Sequence, residues 1–296
     1  MAKFQIYTYM FRPVMENQYE LPFEEFDAVD VKDSLAHKQD ILGAFLDNCD
    51  ALKFKYEGAE FAHMNYIHQQ GVYVFRIANN NHRPAKVETN FKVSEHSHHP
   101  SCIAIVDNRK DRQVIAIENK SAFSKELSLS AIIQETFRKA IAGKRLTLDV
   151  TPKFHTSEFW QVVNEFDRFK GIESVDFPFP YPNLPEVSDM VGEYFTNVAR
   201  RTNSEPTLHL FGQNKESLNL EHSDKWLLSA IKACAASGRP ILIKPRGFEL
   251  RKIGVDSPVY EEIDDRILKE LGDLDFFDSN FQSIAEFLNK IKLVYE

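Results

Sequence analysis

The chain has 296 residues, of which 43% are hydrophobic, and this length and composition are typical of a globular protein of about two domains. Its formal net charge of −8 argues against a large, uniformly basic surface for nucleic acid, but it leaves room for a small basic patch on one face. Cys49, Cys102 and Cys234 are far apart in the sequence, which argues against a disulfide framework or a cysteine zinc site.

The first half of the chain alternates aromatic and β-branched residues with polar ones, a pattern that predicts strands. Strands are predicted over 4–14, 52–56, 60–68, 72–77 and 86–93, and a helix over 31–49. Two apolar runs, 102–107 and 113–118, flank the polar turn NRKDR and predict a β-hairpin. A helix over 128–142 follows, with Gly143 in the position of a C-terminal capping glycine.

From residue 144 onward, predicted strands and helices alternate. The strands are RLTLDV, IESVDFPF, TLHLF and PILIK, the helices cover 157–169, 187–200 and 223–236, and a mainly helical tail covers 263–296. We therefore predict an α+β fold in two parts. Residues 1–143 form an N-terminal domain with an antiparallel sheet and helices, and residues 144–296 form a C-terminal α/β domain with a helical tail.

The predicted hairpin carries residues that also occur in metal-dependent nucleases. Asp107 ends its first strand, Glu118 and Lys120 end its second, and Gln134 lies on the helix that follows. Nucleases of the PD-(D/E)xK type use this layout to hold Mg²⁺ and activate water. A charged turn between two apolar strands explains the same residues without catalysis, and we favour that interpretation. The chain is therefore expected to be non-enzymatic and without a cofactor, with Mg²⁺ required only under the nuclease alternative.

The segment SEHSHHP places His96, His98 and His99 close together, and imidazole is a frequent zinc ligand. No second cluster of cysteine or histidine completes a site near them in the sequence. Adjacent histidines in a polar segment before a proline are usually solvated, so no metal site is predicted.

A basic segment, RPILIKPRGFELRKIG, contrasts with the acidic average of the chain. The candidate nucleic-acid contacts are Arg200, Arg201, Arg239, Lys244, Arg246, Arg251 and Lys252. Clustered lysine and arginine can neutralise phosphates and release counterions, and Phe248 could stack on an unpaired base. Lysine and arginine on an exposed strand edge, where they discourage aggregation, are the structural alternative.

The order of the segments HPSCIAIVDNRKDRQVIAIENKSAF, RLTLDVTPKF, FPFPYPNLP and ILIKPRG resembles that of RexA-like phage-exclusion proteins and other accessory anti-phage defence proteins of bacteria. The resemblance covers about His99 to Val259. It implies DNA binding as a homodimer, together with a partner effector protein, and it supplies no catalytic residue.

The residues and the resemblance together lead to one principal hypothesis. We expect a non-enzymatic sensor or regulator of phage defence that binds DNA, RNA or a partner effector protein through its C-terminal domain. A metal-dependent nuclease and a protein-interaction scaffold are the alternatives. The sequence shows neither a signal peptide nor an apolar run of about 18 residues, so we expect a cytoplasmic protein without a membrane partner.

Overall fold

The computed structural model describes residues 1–14, 31–48, 52–80, 83–89, 92–123, 128–213 and 216–296, with the backbone alone for 83–89 and 92–98. Its strands are β1 (Ala2–Pro13), β2 (Phe54–Tyr56), β3 (Ala59–Phe61), β4 (His63–Gln69), β5 (Val72–Ala78), β6 (Arg83–Thr89), β7 (Lys92–His98), β8 (Ser101–Asp107), β9 (Val114–Glu118), β10 (Leu146–Pro152), β11 (Ile172–Pro178), β12 (Thr207–Phe211), β13 (Ile241–Pro245), β14 (Arg251–Ile253) and β15 (Tyr260–Ile263). Its helices are α1 (Val31–Ala36), α2 (Lys38–Asp47), α3 (Leu129–Ile141), α4 (Ser157–Asp167), α5 (Pro185–Val191), α6 (Glu193–Thr202), α7 (Lys225–Ser237), α8 (Asp265–Lys269) and α9 (Phe277–Lys290). With 37% helix and 31% strand, the predicted α+β class is confirmed.

The larger sheet is antiparallel and is organised around β1. Its strand order is β10-β1-β9-β8-β5-β4, and β15 pairs with the first residues of β1 on the same edge as β10. Because side chains alternate along a strand, β1 contributes to two cores. Tyr9 and Phe11 pack under α2 and α3, whereas Phe4 and Ile6 pack under α9.

The smaller sheet is also antiparallel, with the order β12-β11-β13-β14. Its buried face, which includes Val175, Phe177 and Ile243, packs against α4, α5 and α7. Met10 of β1 joins this same core, so α7 lies between the two sheets. On the other face of the smaller sheet, Thr207, His209 and Phe211 of β12 and Lys252 of β14 are exposed.

Strand pairing crosses the predicted domain boundary at Gly143. Both β10 and β15 follow that residue in the chain, yet both pair with β1 in the larger sheet. Helix α9, near the C-terminus, covers one face of the same sheet. The division into residues 1–143 and 144–296 stays a prediction, but the larger sheet draws strands from both parts.

Helix α7 has a capped N-terminus that can be tested directly. The carboxylate of Asp224 accepts hydrogen bonds from the backbone N–H groups of Trp226 and Leu227, at 2.8 and 3.1 Å. We expect Asp224→Ala to lower the free energy of unfolding by about 1 kcal/mol, because two N–H groups of the first turn lose their acceptor. Urea denaturation measures this change, and Ser223→Ala, next to the cap, serves as the control. Equal stability of the two variants would contradict the assignment.

Candidate functional site

The exposed face of the smaller sheet brings together residues that are far apart in the chain. Strand register places Phe211, Ser174 and Lys244 side by side across β12, β11 and β13. The next row of the same face contains His209, Asp176, Leu242 and Lys252, in that order. The two rows are separated by two residues, or about 7 Å, so one short polymer can contact both.

The end of this sheet at the turn between β13 and β14 is rich in cations and exposed aromatic rings. We call it the basic end, and it consists of Phe169, Lys170, Phe211, Lys244, Arg246, Phe248, Arg251 and Lys252. Phe169, Phe211 and Phe248 are 68%, 65% and 43% exposed, which is unusual for phenylalanine. The basic end therefore combines exposed apolar rings with cations on one part of the surface.

Contacts hold the basic end in shape without neutralising it. Lys244 Nζ donates to the carbonyl of Phe248, and Arg246 Nη2 donates to the carbonyl of Glu216 at 2.7 Å. The guanidinium of Arg251 lies 5.8 Å from the ring centre of Phe166. Within the described part of the chain, no carboxylate forms an ion pair with any of the four predicted cations in this region.

The other three predicted cations lie elsewhere. Arg239 is held by two carboxylates, since its Nη2 atom lies 3.2 Å from Asp149 and also contacts Glu205. Arg200 and Arg201 are exposed in the last turn of α6, which precedes the start of β12 at the opposite end of the sheet. The structure therefore places Lys244, Arg246, Arg251 and Lys252 at the basic end, with Lys244 and Lys252 on the exposed face and Arg251 on the face toward α4, and it separates Arg200, Arg201 and Arg239 from them.

Three members of the basic end were missed by sequence reasoning. Phe169 and Lys170 follow α4, and Phe211 ends β12, so each reaches this end only through the pairing of β11 with its neighbours. The sequence signal that could have identified Phe211 is its position as the last residue of the predicted strand TLHLF. Phe248, which sequence reasoning did single out, contacts Phe166 and Phe169 at ring-centre distances of 4.9 and 6.1 Å.

The nuclease residues of the hairpin do not converge. Asp107 pairs with Val114, and Ile117 pairs with Ala104, so Glu118 lies opposite Ile103. The two carboxylates therefore share a face but are separated by four residues along the strand, about 13 Å. That separation is too large for both to bind one Mg²⁺ directly.

Each of these hairpin side chains also has a structural partner. Lys120 Nζ lies 2.6 Å from the Glu118 carboxylate, which also accepts from the backbone N–H of Ile103 at 3.1 Å. Gln134 lies on α3, on the opposite face of the sheet, and its Oε1 atom accepts from the backbone N–H of Val150 at 2.7 Å. Gln134 thus ties a helix to an edge strand.

Asp107 is the centre of a buried ion-pair network. Its fully buried carboxylate accepts from Arg109 Nε and Nη2, both at 2.8 Å, and from Arg112 Nε at 3.0 Å. The hydrogen bond to Asp107 raises the pKa of Arg109. Both guanidinium groups continue to the last turn of α9, where Arg112 donates to the carbonyl of Leu288 and Arg109 donates to Asn289. The network fixes the hairpin turn to this helix.

Metal ligands do not cluster in the described part of the chain, where no group of three or more histidine, cysteine, aspartate or glutamate side chains could hold a metal ion. The side chains of His96 and His98 lie outside the described residues, and His99 is exposed. Among the described residues, none of the helices combines the length and apolar character that crossing a bilayer requires.

The chain matches no protein-family model and no curated protein.

Proposed function

We propose that the protein binds single-stranded nucleic acid at the basic end of its smaller sheet. The observation that supports this most is the combination of three exposed phenylalanine rings with four cations that no described carboxylate neutralises. Exposed rings stack on unpaired bases, and the cations follow the phosphate backbone. Bases in a duplex are already stacked and cannot use such rings, so the proposal is specific for single strands.

The acidity of the whole chain is compatible with this proposal. A net charge of −8 weakens non-specific attraction to nucleic acid, so binding must come from a local excess of positive charge. Lys244, Arg246, Arg251 and Lys252 supply that excess at one end of the sheet. A role in phage defence, a partner effector protein and a homodimer stay predictions from the RexA-like resemblance.

Charge reversal at two positions provides the test. We expect Lys244→Glu combined with Arg246→Glu to weaken binding of a labelled single-stranded oligonucleotide of about 16 nucleotides by at least roughly ten-fold. Fluorescence anisotropy over a series of salt concentrations measures the affinity. Loss of two phosphate contacts should also reduce the slope of log affinity against log salt by about 1.4.

The matched control reverses the charge of two arginines in α6, near the opposite end of the same sheet. Arg200→Glu combined with Arg201→Glu changes the net charge by the same amount, and it should leave the affinity close to that of the wild type. Phe211→Ala, which removes an exposed ring and no charge, should weaken binding to a single strand. Equal weakening by both charge-reversed proteins, tighter binding to duplex, or no binding to any oligonucleotide would overturn the proposal.

A further inference from the structure

Strand β12 forms one edge of the smaller sheet, because β11 is the one described strand that pairs with it. The backbone N–H of Phe179 donates to the carbonyl of Pro206 at 2.8 Å, and that of Gly212 donates to the carbonyl of Glu173 at 3.0 Å. Along an antiparallel strand, residues that bond to one partner alternate with residues that face away from it. From Pro206 to Gly212, the even-numbered residues therefore bond to β11.

The odd-numbered residues of β12 direct their backbone groups away from the sheet. Thr207, His209 and Phe211 each present an N–H and a C=O to the free edge. No residue that the structure describes forms a backbone hydrogen bond with these groups across that edge. A row of unpaired donors and acceptors of this kind is a template for pairing with another strand.

The other edges of the two sheets carry features that oppose such pairing. Strand β4 has a register shift between Asn65 and Ile67, and β14 and β15 are short strands with charged side chains. Side chains of α3 cover β10, where they bond to the carbonyl of Leu148 and the N–H of Val150. Strand β12 pairs regularly over its whole length, and its sequence TLHLF contains no lysine, arginine, aspartate or glutamate.

The apolar layer below β12 is incompletely covered. Val175 and Phe177 of β11 are fully buried, whereas their partners Leu210 and Leu208, which pack against the same core, are only partly buried. The ring of Trp226 lies 6.3 Å from that of Phe177, and Trp226 is 44% exposed. Continuation of the sheet and of its apolar layer beyond β12 would remove this apolar surface from water, which is favourable.

The sequence of β12 suits antiparallel pairing with itself. In a register centred on His209, a second copy places Thr207 opposite Phe211 and Leu208 opposite Leu210. The residues with outward backbone groups then oppose one another, and each such pair exchanges two N–H···O bonds. The leucines of the two copies meet on the buried side of the sheet, where apolar cross-strand pairs are stabilising.

We propose that two copies of the chain associate through β12 as a symmetric dimer, in which the two smaller sheets form one continuous sheet. The two-fold axis passes beside His209, so both copies use the same surface. The imidazole of each His209 keeps its contact with the Asp176 carboxylate of its own chain. A lone peptide strand would bond to the same backbone groups, but it would bring no second apolar layer to cover Leu208, Leu210 and Trp226. The partly exposed apolar layer therefore favours a second copy.

This dimer does not depend on nucleic-acid binding. Its interface uses the backbone of β12 and apolar side chains on the buried side of the sheet, whereas the proposed nucleic-acid contacts are side chains of the basic end. Nucleic acid that bridged two copies would nevertheless mimic a dimer. Association is therefore measured at about 0.5 M NaCl, where phosphate contacts are weak.

Sedimentation equilibrium of the full chain measures the dissociation constant. We expect twice the 34.2 kDa mass of one chain at high protein concentration and the mass of one chain on dilution. His209→Pro removes an outward N–H at a position where an edge strand tolerates proline, so it should raise the dissociation constant by at least roughly ten-fold. His209→Ala removes the same imidazole but keeps the N–H, and its dissociation constant should stay close to that of the wild type.

Cysteine cross-linking tests the register without removing any backbone N–H. Beside the two-fold axis, the Cα atoms of the two His209 residues would lie about 5.5 Å apart, within the range for a disulfide. His209→Cys should therefore give a covalent dimer on mild oxidation. Thr207 is also exposed, but its two copies would be four residues apart along the paired strands, about 14 Å, so Thr207→Cys should not cross-link.

Three results would overturn the proposal. The first is a wild-type chain that stays monomeric at every concentration, including one that binds a foreign extended peptide at β12 instead of a second copy. The second is an equal dissociation constant for the proline and alanine variants. The third is equal cross-linking of the two cysteine variants, which would show that the copies do not meet at His209.

Discussion

Replacing Asp107 with asparagine is expected to lower the free energy of unfolding by about 3 kcal/mol. The carboxylate is fully buried and accepts three hydrogen bonds from the side chains of Arg109 and Arg112. An amide removes the negative charge and places an N–H donor against guanidinium donors. The expected loss of unfolding free energy is at the lower end of the range for breaking a buried ion pair, because both arginines are partly exposed. Urea denaturation at neutral pH measures it.

Asp111→Asn is the matched control, because it removes a carboxylate from the same turn. Asp111 is exposed with φ of 59°, a conformation that asparagine tolerates, so this change should alter stability by less than about 0.5 kcal/mol. Hydrogen exchange should show that Asp107→Asn also loosens the last turn of α9, which Arg109 and Arg112 contact. An Asp107→Asn protein as stable as the wild type would contradict this structural role.

The hairpin shows which part of a site can be predicted from sequence. Its two strands and turn follow from the apolar runs around NRKDR, and the structure confirms them as β8 and β9. The register sets Asp107 and Glu118 at opposite ends of the hairpin, and the length of the turn already implied that separation. The similarity to a nuclease came from the order of residue types, which carries no information about distance.

Sequence reasoning could predict the part of the basic end that is formed by residues close together in the sequence. Lys244, Arg246, Arg251 and Lys252 come together because the turn after β13 returns the chain as β14, so neighbours in sequence become neighbours in space. Arg239 precedes β13, and its ion pairs with Asp149 and Glu205 depend on distant segments. Strand pairing of this kind is set by the whole fold, and a local pattern of charges cannot reveal it.

The larger sheet draws strands from both sides of the predicted domain boundary for a similar reason. Alternating strands and helices after residue 144 correctly predict β10 to β13, α4 and α7, but the predicted helix over 187–200 is the pair α5 and α6, and β14 and β15 were not predicted. Strand β10 nevertheless pairs with β1 over Tyr7–Pro13, and β15 pairs with β1 over Ala2–Gln5. The N-terminal strand is long enough to accept both partners along one edge, and nothing in the local pattern of either partner identifies β1 as its neighbour.

The burial of Lys153 is a feature that sequence reasoning could not find. A lysine after a strand usually lies on the surface. Here the chain after α9, some 140 residues later, covers it and supplies two carbonyl acceptors. Burial and, to a smaller extent, the charge of Arg112 lower its pKa to about 7, and the charge of Glu186 opposes this shift. From the lowered pKa of Lys153 we derive a prediction about stability that does not depend on any ligand.

We expect the stability of the wild type relative to Lys153→Met to rise by about 2 kcal/mol between pH 7.5 and pH 9. Below about pH 7, Lys153 is protonated in both the folded and the unfolded chain. Above that pH the folded protein loses the proton, whereas the unfolded chain keeps it until its ordinary pKa near about 10.4. Unfolding then takes up a proton, so raising the pH favours the folded state.

Comparing Lys153 with Lys292, whose carbonyl accepts a hydrogen bond from it, isolates this effect. Lys153→Met and Lys292→Met each remove one amine, but Lys292 is exposed, so only the first should change the pH dependence of the free energy of unfolding. Urea denaturation at closely spaced pH values measures both differences, and subtraction cancels the groups that titrate elsewhere. A difference between wild type and Lys153→Met that stays constant from pH 7.5 to pH 9 would mean that the amine remains charged when buried.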